Sequence, residues 1–308
     1  MRTVAVVGTG RMGSAMARAI TKAGFDLVVQ NRTRDRAAAV SAEVGCRVVD
    51  TPAEAAAVSD VTITMLADDA AVQGAYEGPD GLLEGAHRGG VLVDMSTVRP
   101  DTIVAFAERT RATGSGILDA PVSGSVHLAE AGTLTLMVGG TPADLERARP
   151  ALEAVSTTIF HMGPLGTGAA MKLAVNAVIF GLNGALSEGL VLAEAAGIDR
   201  ALAYDVIAAG AAGAPYVGYK RAAFVDPEAT PVAFSLDLTD KDLGLITAYA
   251  AALGVELPQT AVNRALVRES SSGGRGSNDF STVAAELRSR RVPPTPALAG
   301  SPGEGSTT

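Results

Sequence analysis

The chain has 308 residues, 47% hydrophobic and 19% charged, a length and composition that suit one large α/β domain or two ordinary domains, each with its own core. Its formal net charge of −8 argues against a nucleic-acid partner, which requires a basic face to neutralise phosphates, and leaves small molecules as the expected ligands. A single cysteine, Cys46, excludes an intrachain disulfide and a cysteine-built metal cluster; it fits a reducing cytoplasm.

Met1 and Arg2 run directly into the apolar stretch Val4–Val7 and Gly8, too short for the core of a secretory signal, so a cytoplasmic protein is expected. From there, β-branched runs alternate with amphipathic helical stretches. Strands are predicted at Val4–Val7, Leu27–Gln30, Arg47–Val49, Val61–Met65, Val91–Asp94, Gly116–Asp119, Leu134–Val138 and Thr158–His161, with helices at Met12–Ala23 and Asp35–Val44 and between most later strands. That alternation predicts a parallel, doubly wound sheet with right-handed crossovers over residues 1–163.

At Gly163–Gly168 the pattern changes, and residues 164–291 read as helices only, broken at Ala196–Gly197, Gly213–Pro215, Asp226–Pro231 and Gly254–Pro258. The stretch Ala169–Ala196 is long enough to span a bilayer. Lys172, Asn176, Asn183, Glu188 and Glu194 interrupt it, so it reads as an interdomain helix rather than a membrane span. Residues 292–308, rich in Pro, Gly, Ser and Thr, read as a disordered tail.

The segment Gly8-Thr9-Gly10-Arg11-Met12-Gly13 follows the first strand and opens a helix, the context that gives a GxGxxG pattern its meaning. Gly8 suits the tight turn, Gly10 the approach of backbone to a pyrophosphate, and Gly13 close helix–strand packing, with the helix N-terminus facing the phosphates. At the end of the second strand, where a carboxylate would select NAD, the chain has Gln30-Asn31-Arg32-Thr33-Arg34. The Arg32 guanidinium, flanked by Asn31 and Thr33, suits a 2′-phosphate, so NADP(H) is the expected cofactor. Leu66-Ala67-Asp68 and Ser96-Thr97 lie at strand ends where the crevice opens, on the nicotinamide side.

Three further segments carry chemistry: Asp119-Ala-Pro-Val-Ser123-Gly124-Ser125, Gly132–Gly140, and Gly166-Thr-Gly-Ala-Ala-Met-Lys172-Leu-Ala-Val-Asn176. Lys172 and Asn176, four apart on a helix, project from one face toward one ligand. Proximity to the helix N-terminus and burial would both lower the lysine pKa, which suits a proton donor. Ser123 and Gly124, in a turn beyond a strand end, offer a hydroxyl and backbone N–H groups to a substrate carboxylate. His127 reads first as a solvated loop histidine and otherwise as a substrate contact. His87, His127 and His161 lie on separate elements, so no metal is expected.

With Asp94-Met-Ser96-Thr97 and the glycine fingerprint, these segments resemble the β-hydroxyacid dehydrogenase family, which includes 3-hydroxyisobutyrate dehydrogenases and semialdehyde reductases. The resemblance implies Lys172 as general acid and base, Asn176 orienting the substrate, Ser123, Gly124 and Ser125 binding its carboxylate, and Lys241 of Lys241-Asp242 reaching the cofactor region. Phe234 and Asp237 precede that pair and are candidate lining residues. It also implies a homodimer or homotetramer. The chain departs from the family pattern at Ser125, where a second glycine is usual, and at Val175, where a second asparagine is usual. Two other readings follow: an imine reductase of the same architecture, or an NADP-binding sensor without turnover.

Overall fold

A computed structural model of the chain describes residues 2–290; the expected tail at 292–308 lies outside the described residues. The sheet has nine strands: β1 (Thr3–Val7), β2 (Asp26–Gln30), β3 (Arg47–Val48), β4 (Val61–Thr64), β5 (Val91–Asp94), β6 (Gly116–Asp119), β7 (Val122–Ser123), β8 (Leu134–Gly140) and β9 (Ser156–Gly163). The order β3-β2-β1-β4-β5-β6 is parallel throughout and is that of a dinucleotide-binding fold.

Parallel strands covered on both faces read as continuous apolar runs, and β1 does so: Val4, Ala5, Val6 and Val7 are all buried. Val4 and Val6 face the Arg11–Lys22 helix with Met16 and Ile20, while Ala5 and Val7 face Tyr76, Leu82 and Phe106. The Tyr76 and Phe106 rings stack at 4.4 Å between centroids.

The parallel sheet expected from the sequence runs through β6, and beyond it the strands are mixed. Strand β8 runs antiparallel to β6, pairing Leu118 with Gly140, and antiparallel to β7, pairing Ser123 with Thr135; β9 then lies parallel to β8. Strand β7, two residues long within what reads as a turn, is absent from the sequence prediction because so short an element leaves no alternation to detect.

From Thr167 the described residues form helices at Thr167–Ala195, Arg200–Ala209, Pro215–Val225, Leu236–Ala252, Pro258–Ser271 and Val283–Ser289, with short 3-10 turns at Ser272–Gly274 and Phe280–Thr282. The breaks up to Pro258 coincide with the Gly and Pro positions read from sequence, and that between Ser271 and Val283 was not anticipated. Thr167–Ala195 is, among the described residues, the one helix long and apolar enough to cross a bilayer. Its two buried asparagines are held by protein groups: Asn176 donates to Asp242, while Asn183 accepts from the Tyr216 hydroxyl at 2.7 Å and donates to the Phe280 carbonyl at 3.2 Å.

Packing divides the described chain otherwise than at residue 163. One compact unit comprises Met1–Gly181 with Asp237–Arg264, and the second comprises Leu182–Leu236 with the residues from Ala265 onward. The first turns of the Thr167–Ala195 helix belong with the sheet because Asp119, at the end of β6, binds their backbone N–H groups. In the second unit, buried Lys220 pairs with both oxygens of Asp279 at 2.6 and 2.8 Å, and Asp279 also accepts from the N–H groups of Ala233, Phe234 and Ser281.

The glycine turn sets a test of this packing. A Cβ on Gly13 would overlap the Gly8 carbonyl oxygen, whereas Gly10 has nothing within 4 Å of where a Cβ would stand. Gly13→Ala is expected to cost about 3 kcal/mol by overpacking a backbone contact that cannot relax. Gly10→Ala should leave the urea midpoint within about 0.5 kcal/mol of wild type, as for an unstrained surface substitution. Equal losses in the two variants would refute the steric assignment.

Candidate active site

Positive φ at Gly8 (100°) turns the chain at the end of β1, and its N–H donates to the Gln30 carbonyl at 2.8 Å, tying the turn to β2. A Cβ there would strike the Met65 carbonyl and Leu66. The Thr9 N–H donates to Asn31 Oδ1 at 3.0 Å, and Asn31 Nδ2 donates to the Thr33 carbonyl at 3.0 Å, so Asn31 braces the turn from the end of β2. Arg11 is exposed at the first position of the helix, and Met12 packs on the core below.

Two observations fit this turn to a dinucleotide phosphate. The space in front of Gly10 is open, and Thr9 Oγ1 is buried without a hydrogen-bond partner. A buried hydroxyl in that state costs free energy unless a ligand satisfies it. Of the two arginines at the end of β2, Arg34 is paired with Asp50, while exposed Arg32 has no ion-pair partner among the described residues.

On the other side of β1, the ends of β4 and β5 are held by one buried network. Thr64 Oγ1 donates to Asp94 Oδ2, the Ser96 N–H donates to Asp94 Oδ1 at 3.0 Å, and the Leu66 N–H donates to Ser96 Oγ at 2.9 Å. Burial pushes the Asp94 carboxyl up to about 7, against the stabilising hydrogen bonds from Thr64 and Ser96. Asp68 is a helix cap, accepting from the Ala71 N–H at 2.8 Å, which accounts for its place at the strand end.

Lys241, on the Leu236–Ala252 helix, donates to the Ala67 carbonyl at 3.1 Å and the Thr97 carbonyl at 2.9 Å, joining both strand ends. Its ammonium lies 2.8 Å from Asp242 Oδ1, and Asp242 Oδ2 accepts from Asn176 Nδ2 at 2.8 Å. Asn176, Asp242, Lys241, Ala67 and Thr97 therefore form one connected set. Burial raises the Asp242 carboxyl, opposed first by the Lys241 charge.

Lys172 is half-buried, one helical turn before Asn176, and makes no hydrogen bond or ion pair among the described residues. Burial lowers its pKa to about 8; Asp242 opposes the shift and Lys241 adds to it. The helix terminus, expected to contribute, is occupied by a carboxylate: Asp119 Oδ1 accepts from the Gly166 N–H at 2.7 Å and Oδ2 from the Ala169 N–H at 2.6 Å. The sequence reading gave Asp119 no role. Its partners lie 47 and 50 residues away in sequence, which left no local signal.

Ser123 pairs with Thr135 in β7–β8, and Gly124 has φ 143° with room for no side chain, a Cβ falling 2.7 Å from Leu134 Cδ2. Ser125 precedes the Val126–Glu130 helix without capping it through its side chain. The Ser123 and Ser125 hydroxyls form no hydrogen bond among the described residues, and none joins them to Lys172 or Asn176. His127 is exposed, its ring 3.9 Å from Glu130, as a solvated histidine. Phe234 packs edge-on against Phe280, 5.9 Å between centroids, within the second unit. Among the described residues, no group of three or more His, Cys, Asp or Glu could hold a metal.

This arrangement provides a phosphate-accepting turn, a crevice lined by the ends of β4 and β5, and an amine that changes charge near pH 8. Comparison with known proteins agrees with it. Residues 3–163 match the NAD-binding domain of 6-phosphogluconate dehydrogenase, and residues 166–287 match the NAD-binding region of NADP-dependent 3-hydroxyisobutyrate dehydrogenase. The chain is 32% identical to glyoxylate/succinic semialdehyde reductase 2 of Arabidopsis thaliana, over 94% of this chain and 80% of that protein. It superposes on the 3-hydroxyisobutyrate dehydrogenase of Mycobacterium tuberculosis with L-serine at a TM-score of 0.81 and 32% identity, covering 94% of this chain and 99% of the other. The corresponding Salmonella typhimurium enzyme gives a TM-score of 0.85 at 28% identity, covering 93% and 100%. With the glycine turn and the crevice inside the first matched region and the lysine helix inside the second, the chain belongs to the β-hydroxyacid dehydrogenase family of nicotinamide-dependent oxidoreductases.

Proposed function

We propose that the protein uses NADP(H) to interconvert a small β-hydroxy acid and its semialdehyde carboxylate, with Lys172 as the proton donor and acceptor. The observation that carries this reading is Lys172 itself: an unpaired, half-buried ammonium poised near pH 8 beside the Asn176–Asp242–Lys241 set. An idle lysine would instead extend into water or pair with a carboxylate.

Bound nicotinamide supplies or accepts the hydride. Lys172 gives its proton to the carbonyl oxygen in reduction and removes it from the alcohol in oxidation. Asn176 gives one Nδ2 hydrogen to Asp242, which leaves its carbonyl oxygen and its other N–H to offer to a substrate hydroxyl. Ser123 and Ser125 supply hydroxyl donors, and Gly124 unencumbered backbone, to the carboxylate. Arg32, left unpaired where Arg34 is neutralised by Asp50, is the group for a 2′-phosphate.

The single cysteine supports a cytoplasmic location. Self-association as a homodimer or homotetramer is supported by exposed apolar residues on the long helix, Val178 at 70% and Leu192 at 73%; a monomer by sedimentation equilibrium at micromolar concentration would oppose it.

The decisive assay follows NADPH oxidation against succinic semialdehyde, glyoxylate, tartronate semialdehyde, methylmalonate semialdehyde and cyclic imines. Lys172→Ala is expected to lower kcat on a carboxylated aldehyde about 1,000-fold, within the range of a lost general acid. Turnover of imines alone would instead favour the imine reductase reading, and tight NADPH binding with no turnover the sensor. Because the acid form is required for reduction, kcat/KM in that direction should be level below pH 8 and fall above it, while oxidation should rise through the same midpoint. A profile insensitive to pH between 7 and 9 would remove Lys172 from the proton step. Arg32→Ala should raise the KM for NADPH about 10-fold or more and leave that for NADH within about 3-fold, the loss of one charge-assisted hydrogen bond. Equal changes for both cofactors would refute the phosphate assignment.

A further inference from the structure

Strand β6 ends in a carboxylate that touches neither crevice loop. Asp119 is 1% exposed, and both its oxygens are spent on the start of the Thr167–Ala195 helix, at the N–H groups of Gly166 and Ala169. The surroundings leave this joint no slack. A Cβ on Gly168 would overlap the Met137 carbonyl oxygen and lie 2.9 Å from both the Asp119 carbonyl and Oδ2; a Cβ on Gly139 would overlap Asp119 Oδ1 and lie 2.8 Å from the Pro164 carbonyl. Gly166 itself has φ 93°, a backbone state that sets the angle at which the chain enters the helix.

Lys172 is three residues beyond Ala169, less than one helical turn, so the helix start determines where its ammonium stands. Ser123 is four residues beyond Asp119 on the same sheet edge. One carboxylate therefore fixes the lysine-bearing helix and begins the segment that carries the substrate serine.

Resting on the proposed role of Lys172, we propose that Asp119 is a positioning residue for that lysine, holding the helix start in the register that presents the ammonium to the reacting carbonyl. The placement tolerance in proton transfer is small, and an error of about 1 Å can cost about 100-fold in rate. The interaction is a charge-assisted pair of hydrogen bonds to backbone donors. An asparagine there retains one acceptor but turns an N–H₂ toward a backbone N–H, so it is not a neutral replacement.

The test is a double-mutant cycle on kcat, with Asp119→Asn, Lys172→Ala and the double variant, alongside NADPH affinity by fluorescence titration. Asp119→Asn is expected to lower kcat about 30-fold or more in the wild-type background, to lower it less than about 3-fold when Lys172 is already alanine, and to leave the NADPH Kd within about 3-fold. Asp119→Ser, which keeps one short acceptor, should give an intermediate loss, and it serves as the read variant if Asp119→Asn does not fold. The same loss in both backgrounds, or a loss of NADPH affinity as large as the loss of kcat, would overturn the proposal. The single variant Lys172→Ala keeps the two ideas separate: full activity there rejects the catalytic role of the lysine itself, whatever Asp119 does.

Discussion

The arrangement depends on how closely the Arg11–Lys22 helix can lie against β1. The contact is between two glycines, Gly13 on the helix and the carbonyl of Gly8 on the turn, and it admits no side chain. Because the helix sits so low, its N-terminal N–H groups stand at the carboxyl end of the sheet, where β1 and β4 part. The same approach brings Met16 and Ile20 onto Val4 and Val6, so a single steric allowance serves both the core and the crevice.

The loops above the sheet are held by buried polar groups that have been satisfied internally. Asp94 and Asp119 are register partners at the ends of neighbouring strands β5 and β6, and each spends its oxygens on a separate piece of the site. Asp94 holds Thr64 and Ser96, and through Ser96 the Leu66 N–H; Asp119 holds the helix of Lys172. Placing two carboxylates side by side out of water is costly: burial raises both, and the Asp119 charge adds to the rise of Asp94. The hydrogen bonds offset that cost, and in doing so make the loop positions discrete rather than adjustable. Lys241 closes the set from the Leu236–Ala252 helix by capping the carbonyls of Ala67 and Thr97 together.

Much of this was legible in the chain, for physical reasons that differ by element. The central strands β1, β4 and β5 announce themselves because burial on both faces demands predominantly apolar, β-branched runs, and the glycine turn because only glycine fits at Gly8 and Gly13. Lys172 and Asn176 stood out because charge and amide are rare on an apolar helix. What lay hidden was pairing across long sequence distance. Nothing local distinguishes β8, which runs opposite to β6 and β7, from another parallel strand, and nothing near Asp119 says that its partners are Gly166 and Ala169. The sequence also suggested that the bare helix end tunes Lys172; the cause is burial together with Lys241, since the end is already occupied. Asn176 was expected to orient the substrate, and its tie to Asp242 through one amide N–H could not be read from the sequence.

The unpaired cations acquire a further meaning from the charge of the molecule that carries them. A chain of net charge −8 must admit a dinucleotide that is itself an anion. Beyond the Debye length, about 8 Å at physiological ionic strength, that net repulsion is largely screened, and at lower salt it reaches further. With Arg32 holding the cofactor as proposed, added salt would shield the repulsion and speed arrival while weakening the final hold at the arginine. Association and retention of the cofactor would then respond to ionic strength in opposite senses.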